Sequence, residues 1–400
     1  MNLKKIVPAY KTLNVKYAIR DIVVLANEVA KTGKEMFYLN IGDPNIFDHE
    51  TPATVVDATC DAIRKNQNGY APSSGIKEAI DAITRDAERK GIKNILDVFV
   101  TTGASEAIEL CLTALLNRGE NFLMPTPGYP LYTAVQSKLE LEPNPYYLDE
   151  KDGWQPDIDD IRSKINDKTR AIVLINPNNP TGSVCRKETL MQIIEIALEH
   201  NLVIIADEIY DKLIFDNKQL TSIAALNSDV SCITFSGLSK NFIAPGFRIG
   251  WGVASGRKEV MGDYIDAVNK LLRSRVSANH PEQYAIMPAL EGDQSHLKTM
   301  INKLEIRRNI MMDTFDSIEG IDLVKPEGAF YAFPSIDVDD DSKFCAELIR
   351  STGVIVVPGS GFGQKPGSNH FRIVTLPQEE VLRKAFALIA EFYSDYKKKM

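Results

Sequence analysis

The chain has 400 residues, of which 44% are hydrophobic and 25% charged, and its formal net charge is −8. This balance is typical of a globular protein with room for two structural units, and the acidic charge argues against a nucleic-acid partner. Neither a run of 18 apolar residues nor an apolar segment after the charged N-terminus occurs, so no membrane span or signal peptide is predicted. The five cysteines form no CxxC pair and the five histidines show no metal-binding spacing, which predicts a cytoplasmic protein without disulfides or a metal site.

Strand and helix patterns alternate through the first two thirds of the chain. Apolar or β-branched runs predict strands, and apolar residues at helical spacing predict helices. In chain order these are a helix at 18–32, a strand at 97–102, a helix at 105–116, strands at 121–124 and 171–175, a helix at 188–200, and strands at 202–206, 232–235 and 249–254. Such alternation indicates an α/β fold with a mainly parallel sheet.

The last hundred residues show a different pattern. Here the predicted elements are a helix at 296–318, short strands at 329–333, 354–357 and 371–374, and a helix from 378 to the end. Short strands between long helices indicate a smaller α+β unit. We therefore predict a large domain at 50–290 and a small domain that combines 1–49 with 291–400 and closes over the ligand.

Four polar segments follow predicted strands, the place where open parallel sheets bind their ligands. They are 102–105, 176–182, 207–210 and 236–240. The small-residue turn at 102–105 precedes a helix, and the free backbone N–H groups of such a turn can hold a phosphate. An ordinary strand–helix turn is the alternative for this segment, and an ordinary loop is the alternative for 176–182.

Four charged side chains in or near these segments require polar partners. Asp207 follows the apolar run LVIIA, and a carboxylate at a buried strand end is costly unless it meets a cation or hydrogen-bond donors; a helix N-cap is the alternative role. Lys240, in a small-residue turn, is suited to react with a carbonyl group if the cleft encloses it. Arg248 is suited to a phosphate, and Arg372, inside a predicted strand, to a carboxylate held by two hydrogen bonds.

The motifs NPNNPTG, ADEIY, SGLSK and GFRIGW, in this order, resemble those of the class I aminotransferases, which use pyridoxal 5′-phosphate on the type I fold. The resemblance extends from about residue 17 to the C-terminal helix. It implies a mainly parallel seven-stranded sheet with helices on both faces, together with the smaller α+β domain. It also implies a homodimer with shared active sites, acting on an amino acid and a 2-oxo acid.

The resemblance implies a role for each matching residue. Lys240 matches the lysine that carries the cofactor and moves a proton, and Asp207 matches the carboxylate that keeps the pyridine nitrogen protonated. Tyr210 and Asn179 match the residues that hydrogen-bond the phenolic oxygen of the cofactor. The remaining matches are Ala104, Ser105 and Arg248 at the phosphate, Tyr129 stacked on the ring, Tyr70 at the phosphate of the neighbouring subunit, and Gly42, Asn179, Arg372, Tyr129 and Tyr17 at the substrate.

Two departures from the family pattern leave questions open. The residue three before the lysine is a glycine where relatives often have a hydroxyl, so the phosphate contact falls to Ser236, our prediction, or to Ser239. Dicarboxylate-specific members supply an arginine from the partner subunit just before the SANHP segment. Arg273 and Arg275 lie beside that position, but Ser274 occupies it.

The segment KYAIRDIVVLA at 16–26, with SGLSK and PGYPLYTA, is most similar to alanine aminotransferases. We therefore predict transfer of the amino group of L-alanine to 2-oxoglutarate, giving pyruvate and L-glutamate; aspartate or a broad donor range are the alternatives. A C–S lyase is a rival because one fold hosts several reactions, and it would release ammonia and pyruvate from cysteine conjugates without a 2-oxo acid. A pyridoxal-binding regulator is disfavoured, because neither a DNA-binding extension nor a basic patch is visible.

Overall fold

The structure is a computed structural model, and it describes residues 3, 5–15 and 18–399. The α-helices of these residues are α1 (Ala18–Ala30), α2 (Ala53–Arg64), α3 (Lys77–Arg89), α4 (Ala104–Leu115), α5 (Pro130–Lys138), α6 (Ile158–Lys164), α7 (Lys187–Glu199), α8 (Ile223–Leu226), α9 (Lys258–Ser274), α10 (Ile286–Glu291), α11 (Ser295–Phe315), α12 (Asp341–Thr352) and α13 (Glu379–Lys397). Within the same ranges, none of these helices combines the length and apolarity needed to cross a bilayer.

The strands of the described residues are β1 (Phe37–Tyr38), β2 (Ile95–Thr101), β3 (Asn121–Thr126), β4 (Pro145–Asp149), β5 (Gln155–Pro156), β6 (Thr169–Ile175), β7 (Val203–Asp207), β8 (Cys232–Gly237), β9 (Gly250–Ser255), β10 (Ile321–Asp322), β11 (Tyr331–Ala332), β12 (Ser335–Ile336), β13 (Val354–Ile355), β14 (Val357–Pro358) and β15 (Phe371–Val374). One predicted strand, at 354–357, is divided between two sheets. Its first half pairs with β1 in parallel, and its second half pairs with β15 in the antiparallel sense. An unbroken apolar run cannot reveal such a change of partner, because both halves are buried.

The main sheet has eight strands in the order β2-β9-β8-β7-β6-β3-β4-β5. The strands from β8 to β4 run parallel, whereas β9 is antiparallel to both of its neighbours and β5 is antiparallel to β4. The predicted α/β class and mainly parallel sheet are confirmed. The sheet has one strand more than the seven that the resemblance implies. The sequence patterns themselves predicted six of the eight strands and missed β4 and β5, of which β5 has only two residues.

Strand β6 shows why the centre of the sheet has unbroken apolar sequence. Ala171, Val173 and Ile175 belong to one hydrophobic cluster, which also contains α4, and Ile172 and Leu174 belong to a second cluster, which also contains α7. Successive side chains of a strand point to opposite faces, so a strand covered by helices on both faces needs apolar residues at every position. The prediction of helices on both faces is confirmed.

A third hydrophobic cluster joins α1 to the C-terminal elements. It contains Ile22 and Ala26 of α1, Met311 of α11, Leu348 of α12 and Phe386 of α13. The helix predicted at 18–32 therefore packs with the smaller α+β unit, as its apolar spacing suggests. The exact domain boundaries, 50–290 against 1–49 and 291–400, stay a prediction.

The strand register brings the polar segments to one edge of the main sheet. Ile175, which ends β6, pairs with Asp207, which ends β7. Thr101 at the end of β2 and Gly237 at the end of β8 both pair with Gly250, where the antiparallel β9 begins. The loops after β2, β6, β7 and β8 therefore leave the sheet side by side.

Candidate active site

A cleft of about 360 Å³ opens at this edge of the sheet. It is lined both by loops of the main sheet and by residues that precede or follow it in the chain, among them Asn40 and Tyr331. The predicted site residues that line it are Gly42, Ala104, Ser105, Tyr129, Asn179, Asp207, Tyr210, Lys240, Arg248 and Arg372. The topology thus gathers into one cleft predicted site residues that lie up to 330 positions apart, between Gly42 and Arg372.

Two of the predicted site residues that the structure describes, Ser236 and Tyr70, do not line this cleft. Ser236 is 3% exposed within β8 and does not line the cleft, whereas Ser239, in the loop that follows, lines it. The structure therefore favours Ser239 over Ser236 as the serine open to a cofactor. Tyr70 is 86% exposed and lies outside the cleft of its own chain. Tyr17 lies outside the described residues.

Asp207 ends β7 with a carboxylate that is 3% exposed. The Tyr132 hydroxyl donates to Oδ2 at 3.2 Å, and the Ile209 amide donates to Oδ1 at 3.4 Å. Burial raises the pKa of Asp207 from 3.8 to about 6, against the effect of these two donors, and no cation of the described residues takes part. The helix N-cap alternative does not apply, because the next helix begins only at Ile223. The carboxylate therefore has no positive partner in the part of the chain that the structure describes, and a cationic group of a ligand could supply one.

Lys240 enters the same cleft from the loop after β8. Its Nζ donates to the carbonyl oxygen of Gly42 at 2.8 Å and lies 5.6 Å from the centre of the Phe330 ring. The side chain is half-buried and, among the residues described, forms no ion pair with a carboxylate. An amine held this way stays available to a carbonyl group that enters the cleft.

The turn before α4 is built for an anion. Gly103 precedes the helix with φ 75°, in the region that favours glycine, and a Cβ there would lie 2.4 Å from Nη2 of Arg248. A Cβ on Gly250 would lie 2.2 Å from the amide nitrogen of Ala104. A side chain at either position would clash, so glycine at 103 lets Arg248 pack against the turn and glycine at 250 lets strand β9 pack against it. The first N–H groups of the helix, at Ala104 and Ser105, have no partner within the helix and point toward its N-terminal end.

Arg372 crosses from β15 into the cleft between two aromatic rings. Its guanidinium carbon lies 4.8 Å from the centre of the Tyr331 ring and 4.7 Å from that of Phe362. Nη1 donates to Oδ1 of Asn179 at 3.2 Å, and Nη2 donates to the carbonyl oxygen of Asn40 at 2.7 Å. The rings and these acceptors fix the plane of the guanidinium, which suits recognition of a carboxylate.

The comparisons with known proteins agree with this geometry. Residues 34–388 match the family described as Aminotransferase class I and II. The chain belongs to this family. The glutamate-pyruvate aminotransferase AlaA of Escherichia coli K12 is 41% identical over 96% of this chain and 97% of its own length. The alanine aminotransferase of Mycobacterium tuberculosis H37Rv is 38% identical over 97% of this chain and 92% of its own length.

Solved structures match this aminotransferase along the whole fold. An alanine aminotransferase from Pyrococcus furiosus has a TM-score of 0.94 at 39% identity, covering 97% of this chain and 100% of its own. An aspartate aminotransferase from Thermus thermophilus has a TM-score of 0.87 at 27% identity, again covering 97% of this chain and 100% of its own. The predicted family and fold type are confirmed.

Two tyrosines of the aminotransferase were not predicted as site residues: Tyr331, which lines the cleft, and Tyr132, which does not line it but donates to Asp207. The Tyr331 hydroxyl lies 3.1 Å from the Tyr210 hydroxyl. A Cβ on Gly42 would lie 2.3 Å from the Tyr331 hydroxyl oxygen, so this position needs glycine. Burial raises the pKa of Tyr210 well above its ordinary value, so its phenol keeps its proton as a hydrogen-bond donor. Tyr132, the donor to Asp207, enters the sequence analysis only within the PGYPLYTA segment, as part of the similarity to alanine aminotransferases. Neither tyrosine carries a sequence signal, since an aromatic residue in an apolar run is usually core.

Glu208 follows Asp207 but does not line the cleft. Its Oε1 accepts hydrogen bonds from the Ser222 hydroxyl at 2.9 Å and the Ile223 amide at 3.3 Å. Burial raises its pKa from 4.5 to about 7. Between these two values the folded protein retains a proton that the unfolded chain has released, so this group lowers stability as the pH rises through that window.

We expect Glu208→Gln to remove this pH dependence, because the amide has nearly the same shape and no charge. The free energy of unfolding of the variant apoprotein, minus that of wild type, should be about 2 kcal/mol larger at pH 8 than at pH 5, because only wild type loses stability between these pH values. Urea unfolding at both pH values measures the difference. The pH-dependent contribution of Asp207 cancels in the comparison, because both proteins contain this residue. Glu195→Gln, on the exposed face of α7, is the control. An equal offset at both pH values would show that Glu208 is ionised throughout.

Proposed function

We propose that this aminotransferase uses pyridoxal 5′-phosphate to transfer the amino group of L-alanine to 2-oxoglutarate, giving pyruvate and L-glutamate. The observation that carries the cofactor assignment is the buried carboxylate of Asp207, which shares a cleft with the amine of Lys240 but has no cation of its own. The choice of alanine is supported by the relatives that are about 40% identical over nearly their full length and are named for alanine or for glutamate and pyruvate.

The two charged ends of the cofactor find complementary groups in the cleft. Asp207 fits the protonated nitrogen of the pyridine ring, because a buried carboxylate is stabilised by a cation at hydrogen-bond distance. The turn at 103–105 fits the phosphate through its amide groups and the dipole of α4. Arg248, whose guanidinium packs against Gly103, adds a positive charge there, and Ser239 adds a hydroxyl.

The remaining cofactor groups face residues between these two ends. Lys240 would bind the aldehyde carbon through its amine, and Tyr210 and Asn179 would donate hydrogen bonds to the phenolic oxygen. Tyr129 lines the same cleft and offers an aromatic face to the ring. When bound, the cofactor supplies an electron sink for the substrate's α-carbon.

The protein's own residues then hold the substrate and move one proton. Arg372 would bind the α-carboxylate with two parallel N–H groups, in the plane fixed by Tyr331 and Phe362. Once the substrate's amino group has displaced it, the free Lys240 amine would accept the proton of the α-carbon and return it to the carbon on the other side of the amino nitrogen. Tyr210 would keep its own proton as a donor. Arg372 belongs to the proposed small domain and Lys240 to the large one. Closure of the two domains would therefore bring the guanidinium of Arg372 and the amine of Lys240 together around the substrate and exclude water.

We further propose a cytoplasmic homodimer in which Tyr70 reaches the phosphate site of the partner subunit. In a single chain Tyr70 is 86% exposed, and exposed apolar side chains occur on helices α2 and α10, which pack together: Val56 at 36%, Ile63 at 49% and Met287 at 46%. Grouped apolar exposure is typical of an oligomer interface. The five cysteines are free thiols, as expected in a reducing compartment.

The donor preference is tested by initial rates of the purified enzyme with a panel of amino donors and 2-oxoglutarate. We expect L-alanine to exceed L-aspartate in kcat/KM by at least about tenfold, which corresponds to about 1.4 kcal/mol of transition-state binding. Alanine reacting no faster than aspartate would reject the alanine assignment and favour the aspartate alternative. Pyruvate and ammonia released from a cysteine conjugate in the absence of a 2-oxo acid would instead favour the lyase.

The cofactor is tested separately by visible absorption. The purified protein should have a near-visible band, and an amino donor added without any oxo acid should convert it. A protein without such a band, even after incubation with pyridoxal 5′-phosphate, would contradict the cofactor assignment whatever the donor panel shows.

A further inference from the structure

Arg275 follows α9 and turns its guanidinium inward. Its Nη2 donates to the carbonyl oxygen of Val100 at 2.7 Å, and its Nε lies 3.1 Å from Oε1 of Glu106. The side chain is 15% exposed and does not line the cleft. The sequence left open whether this arginine binds the second carboxylate of a dicarboxylic substrate, and its two contacts within its own chain bear on that question.

Both contacts of Arg275 lead to the turn before α4. Val100 lies in β2, one residue before the end of the strand. Glu106 lies in the first turn of α4, and its second oxygen, Oε2, accepts a hydrogen bond from the amide of Thr102 at 2.7 Å. The guanidinium therefore contacts strand β2 directly, at Val100. It contacts the turn indirectly, because the Glu106 carboxylate beside it accepts a hydrogen bond from the Thr102 amide.

We propose that Arg275, acting through Glu106, is a positioning residue that holds the turn at 102–105 in the shape that binds the cofactor phosphate, and is not the arginine for a substrate's second carboxylate. The proposal rests on the cofactor assignment made above. It concerns residues that touch neither substrate nor cofactor in their own chain.

Two physical effects give Arg275 this role. First, Glu106 lies within one helical turn of the phosphate site, where an unpaired carboxylate would repel a phosphate dianion; the guanidinium offsets that charge. Second, the hydrogen bond from Thr102 to Glu106 keeps the turn in register, and the amide groups of the turn reach a phosphate only when they converge. Burial lowers the pKa of Arg275 and the charge of Glu106 opposes that shift, so each partner depends on the other.

Arg273 provides a matched control two residues earlier. It lies in the last turn of α9 and is exposed, and its side chain forms no hydrogen bond or ion pair with the described part of the chain. Replacing either arginine with methionine removes the same charge and keeps the aliphatic stem. Only Arg275→Met removes the contacts to Val100 and Glu106.

The test measures cofactor affinity and substrate choice separately. Apoenzymes of wild type, Arg275→Met and Arg273→Met are titrated with pyridoxal 5′-phosphate, following the visible band. We expect Arg275→Met to raise the dissociation constant at least tenfold and Arg273→Met to change it less than twofold. At saturating cofactor, the ratio of kcat/KM for L-glutamate to that for L-alanine should stay within twofold of wild type in both variants.

A double-mutant cycle tests the coupling to Glu106. In the Glu106→Gln background, Arg275→Met should raise the dissociation constant less than threefold, because the carboxylate it offsets is gone. Should Arg275→Met fail to fold, Arg275→Lys keeps the charge, loses the paired N–H groups, and should weaken the cofactor between twofold and tenfold.

Three results would overturn the proposal: unchanged cofactor affinity in Arg275→Met, an equal loss with and without the carboxylate of Glu106, or a selective loss of glutamate turnover at saturating cofactor. The last would assign Arg275 to the substrate after all. A wild-type protein that does not bind pyridoxal 5′-phosphate would refute the cofactor assignment instead, so the two failures are distinguishable.

Discussion

Lys240→Ala is expected to lower kcat for alanine transamination by about three orders of magnitude, the scale of losing a positioned proton-transfer group. The only other basic side chains in the described lining of the cleft are Arg248 and Arg372, and a guanidinium does not release its proton near neutral pH. Nothing in the cleft can therefore replace the amine. Pyruvate formation in a stopped assay and the visible spectrum before and after donor addition measure the effect.

Two variants separate the amine of Lys240 from its charge. Lys240→Arg keeps the positive charge beside the Gly42 carbonyl but cannot act as a base, so it should be as inactive as the alanine variant. Lys187→Ala, at the exposed start of α7, should retain full activity. An alanine variant at position 240 with more than a tenth of wild-type kcat, or with the same near-visible band and pH response, would remove Lys240 from the centre of the mechanism.

Asp207→Ala is expected to retain bound cofactor but to lose about 10²–10³-fold in kcat, because a preorganised charge at the reacting system is usually worth several kcal/mol. The proposed phosphate site at the turn 103–105 and Arg248 is unchanged in this variant, so cofactor occupancy should persist. Cofactor content by absorbance and kcat by initial rates are measured on the same preparations.

The neighbour of Asp207 supplies the matched control. Glu208→Gln alters a carboxylate of equal burial that points to Ser222 rather than to the cleft, and its kcat should stay within twofold of wild type. Asp207→Asn, which keeps the size of the side chain and loses only the charge, should be nearly as slow as the alanine variant. If Asp207→Asn kept its rate at full occupancy, the carboxylate would have a structural role only.

A site residue could be predicted from the sequence when its type differs from that of its neighbours, for example a charged residue in an apolar strand. Asp207 stood out because a carboxylate ends an apolar strand, and Arg372 because a charge interrupts one. Tyr331 and Tyr132 violate nothing, since aromatic residues suit buried runs, and they enter the site only through packing. The hydroxyl of Tyr132 reaches Asp207 across 75 residues of sequence, a contact that strand order alone creates.

Sequence reasoning was also limited where neighbouring residues differ only in orientation. Ser236 and Ser239 are equally polar, and the end of strand β8 at Gly237 separates them: the first lies within the sheet and the second in the loop at the cleft. Arg273 and Arg275 likewise differ by the turn at the end of α9, which leaves one exposed and directs the other inward. The apolar run predicted β8 to within two residues, and no helix was predicted at α9. Neither prediction can orient a side chain at an element's end.

The hydrophobic cluster shared by α1 and α13 has a consequence for how the protein is made on the ribosome. About 350 residues separate the end of α1 from the start of α13, which corresponds to roughly 20–70 s of translation. The main sheet is complete by Ser255 and can form while synthesis continues. The apolar face of α1 cannot be buried until its C-terminal partners have been synthesised. The hydrogen bond from Arg372 to the Asn40 carbonyl likewise cannot form before then. A nascent chain therefore has a folded sheet but an unfinished cleft until the C-terminal elements that pack on α1 have been synthesised.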